Sequence, residues 1–448
     1  MGRSGASVFQ RLAGLFLLTL AVVGFSATQA MAVPAFAVQT GQPCSGCHVG
    51  GFGPQLTPFG RQFKINGYTI RTNDFNVPLS AMAVASYINT AKDQAPQPGY
   101  TANNNVTLDQ ASVFLAGGFG AHFGAFVQGT YDGVGKQWHW DNMDLRAVTT
   151  ASADGVDMIL GASLNNAPTV DDPFNTLVGW GYPYTSSSLS PAPGAGPIIG
   201  SFAQNTVGLT VYANLNSELL LETGVYQSPS ATFLDDVGID PTDPGSIRGV
   251  APYGRIAYTK NFGSQNFEVG GFALAANLNP GADTSTGLSD HYLDLGLDGS
   301  YQYFADDKDV VTVNVRYTNE SQSLDASQAL GNASNGHDSL NDVRIDASYY
   351  WRSQIGLTVG AFDTTGSPDA LLYAANRTLK PDSTGVTVQL DGTPFGNGNS
   401  PLGKRFNLRL GLQYTAYTEF DGAGRNYDTF GANAADNNTL RLFAWVAY

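Results

Sequence analysis

The 448-residue sequence predicts an all-β fold, a transmembrane antiparallel β-barrel of about sixteen strands with a short N-terminal plug. Three observations predict it. No stretch after Val33 approaches the 18 or so consecutive apolar residues of a membrane helix. Charged residues make up only 13%, against roughly 25% in ordinary globular domains, while aromatic residues reach 11% and glycines number 53. From about residue 76 to the end, apolar and polar residues alternate in segments of about ten, broken by turns and polar loops.

The first element is an export signal over residues 1–32. Arg3 and Arg11 precede the apolar run Leu12–Phe25, and Ala30-Met31-Ala32 supplies the small residues of a cleavage site. The run is too short to span a bilayer as a helix. Cleavage after Ala32 removes two arginines and no acids, which takes the net charge from −15 to −17. So acidic a chain is no nucleic-acid binder.

The second element, residues 33–75, carries the only two cysteines, in Cys44-Ser45-Gly46-Cys47-His48. Cys-x-x-Cys-His is the attachment pattern of one covalent haem c, with Cys44 and Cys47 as thioether sites and His48 as proximal iron ligand. A redox dithiol wants a βαβ context that is missing here, and zinc wants two further ligands that this segment lacks. A helix follows, with Thr57 as N-cap, Pro58 at its first position and Gly67 past its end. Phe59 and Phe63 share one of its faces, and Leu56, Arg61 and Lys64 are either porphyrin and propionate contacts or ordinary core and surface. About 40 residues bury too little to be stable alone, so the segment is expected to dock into the barrel.

The third element, residues 76–448, is the barrel. Leu293, Leu295 and Leu297 oppose Asp294, Gly296 and Asp298, and Val311, Val313 and Val315 oppose Thr312, Asn314 and Arg316. Tyr301, Tyr303, Tyr349, Trp351, Tyr417 and Phe420 stand near strand ends, as an interfacial girdle requires. Short turns near Gly117–His122, Ala153–Val156, Leu215–Glu218, Asn261–Gln265, Ala305–Asp309 and Arg352–Ile355 alternate with long loops such as 166–204, 229–250 and 364–381. The chain ends on Leu440, Leu442, Ala444, Val446 and Tyr448, an outward row closed by an aromatic residue. The same alternation turns Met82, beside Val84 and Ile88, toward lipid. His122 shares an inward face with Gln128 and Thr130, which makes it the candidate distal haem ligand. The loop acids Asp171, Asp172, Asp235, Asp236, Asp240 and Asp243 are expected to stay hydrated or to gather cations.

Ala35-Phe36-Ala37, Gln39-Thr40-Gly41, the Cys-x-x-Cys-His motif, Pro58-Phe59-Gly60-Arg61, Phe63-Lys64 and Gly67-Tyr68 together resemble the N-terminal signature of the outer-membrane cytochrome-porin fusions. The monohaem iron oxidases of iron-oxidising bacteria represent that family. Lys380-Pro381-Asp382-Ser383 and the run Leu410 to Thr418 are similar to its final strands. The resemblance implies an electron-transfer protein of the outer membrane, its haem on the periplasmic side or in the lumen. Its partners would be an extracellular donor such as Fe(II), a periplasmic carrier such as a soluble cytochrome, and outer-membrane lipid. The second expectation is a diffusion porin in which the N-terminal segment is a structural or regulatory plug. Sixteen strands suffice for an aqueous channel.

Overall fold

The computed structural model describes residues 34–72, 77–305, 309–403 and 405–448. The export signal at 1–32 lies outside these residues. No helix among them is long and apolar enough to cross a membrane.

Strands β1 (Leu79–Thr90), β2 (Asn105–Gly118), β3 (Phe123–Asp132), β4 (Gln137–Ala153), β5 (Val156–Asn165), β6 (Val207–Leu215) and β7 (Leu219–Gln227) form the first part of one sheet. A three-residue strand, β8 (Gly245–Ile247), lies against the upper end of β10. The sheet continues through β9 (Ala251–Phe262), β10 (Gln265–Pro280), β11 (Asp290–Ala305), β12 (Asp309–Ser323), β13 (His337–Trp351), β14 (Ile355–Gly366), β15 (Ser383–Gly392), β16 (Asn407–Glu419) and β17 (Thr439–Ala447). Each strand pairs antiparallel with the next, β7 pairs with β9, and β17 returns to β1 in the register Val84↔Trp445. With β8 set aside, this is a closed 16-stranded barrel of the outer-membrane type, as the alternation predicts. Closure leaves no unpaired sheet edge in the hydrocarbon. The shortest wall strands, nine residues long, still meet the length needed to span it.

Side chains follow the period of two. On β11, Leu297 is 63% exposed on the outer surface while Asp298 is 3% exposed on the inner one. The short turns fall where the sequence places them, except the one at Ala305–Asp309, where residues 306–308 lie outside the described residues. At Asp154-Gly155, Asn216-Ser217 and Arg352-Ser353 both central residues have positive φ, the mirror-image turn whose twist matches that of the strands it joins. The final row is also as expected, with Leu440, Leu442, Ala444 and Val446 outward while Arg441, Phe443 and Trp445 are buried inside.

Four expectations are corrected. Met82 and Val84 face the lumen, packed with Phe443, Trp445 and the plug residue Phe52. Tyr417 and Phe420 are buried beneath the last loop, packed with Ala434 and Tyr427, rather than standing in the girdle. Loop 166–204 folds into the barrel, burying Val170, Phe174, Leu177, Ile198, Ile199 and Phe202. Asp171 and Asp172 go in with it and are fully buried rather than hydrated. The other four loop acids remain at the surface.

Candidate functional site

Residues 34–72 lie inside the barrel as a chain of short helices: α1 (Pro34–Thr40), α2 (Cys44–Cys47), a 3₁₀ turn at Val49–Gly51 and α3 (Pro58–Ile65). The helix read from Thr57-Pro58 is α3, and the Thr57 hydroxyl accepts the Gly60 amide at 3.2 Å. Phe36, Phe63 and Tyr68 pack into one aromatic cluster, with centroids 4.9–5.8 Å apart.

The wall satisfies the segment's backbone from many sides. Asn407 donates to Gly51 O at 2.8 Å, Arg409 to Phe52 O at 2.6 Å, Gln302 to Leu56 O at 2.8 Å and Tyr212 to Ile65 O at 2.6 Å. Tyr68 donates its hydroxyl proton to Asp144 at 2.6 Å, and Arg61 donates to Asn266 at 2.9 Å and Ser300 at 2.8 Å. Each such bond contributes about 1 kcal/mol, so docking supplies what the small core of the segment does not.

The inward loop meets the plug from the other side. Lys64 Nζ donates to Val170 O at 2.6 Å, Asp172 O at 2.7 Å and Asn175 Oδ1 at 3.0 Å, and Asn175 donates to Pro54 O at 2.8 Å. The loop is in turn tied to the wall. Asp171 pairs with Arg146 at 3.0 Å and accepts from Thr210 at 2.6 Å, and Asp172 pairs with Arg255 at 3.3 Å. Arg255 also pairs with Asp298 at 2.7 Å, and Arg146 with Asp144 at 2.8 Å. Sequence reasoning missed this ion network, because its charged members lie on three separate strands, β4, β9 and β11, and a loop that reads as polar. The signal was available in the loop, where Val170, Phe174, Leu177, Ile198, Ile199 and Phe202 are too apolar for a solvated extracellular stretch.

Between plug and loop lies a cavity of about 310 Å³, walled by Phe36, Phe52, Phe63, Phe114, Phe126, Trp180 and Trp445 and reached by Cys44, Cys47 and His48. The polar gap on the far side, beside Asn314, Arg316, Arg344 and Asp346, has only about 40 Å³ of free space. Burial pushes the Cys47 thiol up to about 12 and raises that of Cys44, while it lowers the His48 imidazole to about 4.

The haem expected on Cys44, Cys47 and His48 is corrected here. Among the described residues no group of three or more His, Cys, Asp or Glu side chains is placed to hold a metal ion, and both cysteines are free thiols. The two thiols stand one helical turn apart on α2, but His48 leaves that turn in an extended conformation and bridges to Leu56, which carries its ring toward Gly53 and Arg409. His122, the candidate distal ligand, does not line the cavity. It sits in the β2–β3 turn with Nδ1 at 2.9 Å from Val148 O. With the haem go the cytochrome and iron-binding assignments, the electron-transfer role and the kinship with cytochrome-porin fusions that rested on them.

No family model and no curated protein matches the chain. Solved structures do match. OmpT of Vibrio cholerae is 8% identical with a TM-score of 0.44, over 85% of this chain and 100% of its own. DcaP of Acinetobacter baumannii, an outer membrane channel, is 12% identical with a TM-score of 0.46, over 83% and 97%. OprB of Pseudomonas putida is 13% identical with a TM-score of 0.49, over 83% and 94%.

The thiol placement predicts a labelling pattern. At pH 8 only about one Cys47 in ten thousand is thiolate, the reactive form, so the folded protein is expected to resist iodoacetamide for hours. Reactivity then rises with pH toward 12 rather than levelling near 9. After unfolding, mass spectrometry should find both thiols alkylated. An unfolded chain that takes up no reagent would have its sulfurs already bonded, contrary to the free thiols described here.

Proposed function

We propose that the chain is a diffusion porin of the bacterial outer membrane whose N-terminal segment is a luminal plug. The division into an export signal over residues 1–32, a plug over 33–75 and a lipid-embedded barrel over 76–448 belongs to the same proposal. The observation that carries it is the two-sided wall. Apolar residues such as Leu295 and Leu297 face outward, while the inner surface is lined with Asp, Glu, Arg, Asn, Gln and Thr, the lining of an aqueous path. The plug meets that lining through many polar contacts, a cavity and three small apolar patches at Val49, Phe52 and Ile65 rather than through one continuous core, which suits a part that can leave.

Segments held by fewer apolar contacts open at lower free energy than the frame around them. In planar bilayers the purified protein is therefore expected to show little current at rest. Large unitary steps should appear in urea too dilute to unfold the barrel and vanish when it is diluted away. Large steps at rest would mean the segment does not close the pore. Silence at every concentration below barrel unfolding would remove diffusion as the function.

A further inference from the structure

We infer that the buried carboxylates around Arg146 and Arg255 form a cation relay, that Arg61 and Lys64 of the plug are its tethered occupants, and that the pore opened when they leave conducts small monovalent cations. The inference rests on reading the chain as a plugged porin.

Six carboxylates meet in this part of the lumen: Asp144, Asp171, Asp172, Glu222, Glu268 and Asp298, all buried. Wall and loop set only two guanidiniums against them, Arg146 and Arg255, while the plug adds Arg61 and Lys64. In their ionised forms the six leave two negative charges uncompensated with the plug seated and four without it. Two of the carboxylates are also unsatisfied now. Neither oxygen of Glu222, only 6% exposed, nor of Glu268 takes a hydrogen bond from an N–H group among the described residues; Glu222 lies instead against the Asp171 carboxyl and Glu268 against that of Asp298, with Arg255 Nη2 3.6 Å from Glu268. Such oxygens, left without a donor in a dry site, favour any cation that reaches them.

The seat of Lys64 is a second and independent observation. Its ammonium lies among two backbone carbonyl oxygens and one amide oxygen at 2.6–3.0 Å, with the Trp180 ring 5.6 Å away. Neutral oxygens converging on a monovalent charge are what replaces a hydration shell in a conducting pore, and an aromatic face adds to the attraction. The ammonium of Lys64 already sits as a permeant cation would. On the opposite side of the lumen Arg316 and Arg344 stand against Asp342 and Asp346, so that side neither opposes nor adds to the excess. The six-carboxylate cluster then adds to the other inner acids, Asp294 and Glu320, in setting the charge that a permeating ion meets, and rings of acidic side chains select cations.

The test is reversal-potential measurement in planar bilayers under a KCl gradient, on the full mature chain, with folding of each protein verified by heat-modifiable gel migration. R61Q/K64Q is expected to raise mean conductance at least about tenfold over the unsubstituted protein, with potassium favoured over chloride by at least about fivefold. Adding E222Q/E268Q to that protein should keep the conductance and bring the preference down toward one. A conducting R61Q/K64Q protein that favours chloride, or does not discriminate, overturns the relay and leaves the porin standing. Equal conductance with and without the substitutions overturns the tether. Silence of both folded proteins that persists in urea up to barrel unfolding overturns the porin reading itself.

Discussion

Arg255→Met lowers the unfolding free energy of the barrel by about 3–5 kcal/mol, because it leaves three carboxylates buried without their counter-charge. The guanidinium donates to both oxygens of Asp298, at 2.7 and 2.9 Å, and to Thr176 Oγ1 at 3.1 Å, while Asp172 lies 3.3 Å from Nε. Its side chain and those of Asp172, Glu268 and Asp298 are wholly out of water. Methionine keeps much of the volume and none of the charge, so the change isolates the electrostatic part. Asp172 is the hinge of the effect. Its carboxylate also accepts the amides of Phe174, Thr176 and Leu177, and so holds the inward loop in shape. Urea titration in detergent micelles, read by tryptophan fluorescence, should show the loss. Lys260→Met is the control, since its pair with Glu218 at the β9–β10 turn is open to water, with the two side chains 36% and 35% exposed, and the curve should stay in place. A shift as small for Arg255→Met as for the control would mean that water already reaches the cluster.

The same network shows what the sequence made legible and what it hid. Alternation on β11 and β12 was readable because one face meets lipid and the other meets water or polar groups, and that contrast prints a period of two directly. The turns were readable from Asp154-Gly155 and its counterparts, where the backbone needs positive φ. Thr57-Pro58 was readable as a helix start because capping is a local matter. What failed was every inference that took the lumen to be uniformly wet. Met82 and Val84 were turned toward lipid because apolar was equated with outward. The plug supplies an apolar surface of its own, with the Phe52 ring tilted against Trp445 at 4.6 Å between centroids, and so the rule inverts wherever the two meet. Loop 166–204 was misplaced for a related reason. Its prolines, serines and aspartates suit a solvated stretch, yet Asp171 and Asp172 are polar partners for wall arginines distant in sequence. The Cys-x-x-Cys-His motif was legible as a pattern. Its backbone, which turns at α2 and then straightens through His48, was not.

Gly124→Val is expected to unseat the plug while leaving the barrel intact, and so to separate the two parts. Gly124 on β3 pairs with Gly118 on β2, and both lie beneath residues 67 and 68 of the plug. A Cβ at Gly124 would fall far inside van der Waals contact distance of the Gly67 carbonyl oxygen, and one at Gly118 would come within 2.7 Å of Tyr68 O. The plug chain cannot easily retreat, since Gly67 and Tyr68 both hold positive φ, at 59° and 61°, and the Tyr68 hydroxyl is fixed on Asp144. The strand has no such objection, because β-branched residues suit a pleated wall. The clash therefore falls on the docked segment alone. If docking weakens by about 3 kcal/mol, the open population rises about a hundredfold, and proteolysis of an open state in fast exchange follows that population. Trypsin should then cut at Arg61, Lys64 and Arg71 about a hundred times faster, while the barrel keeps its heat-modifiable migration. In bilayers the variant should conduct without urea. Wild-type resistance to trypsin in a folded Gly124→Val barrel would mean that β3 yields instead of the plug, and that the paired glycines do not set where the segment sits.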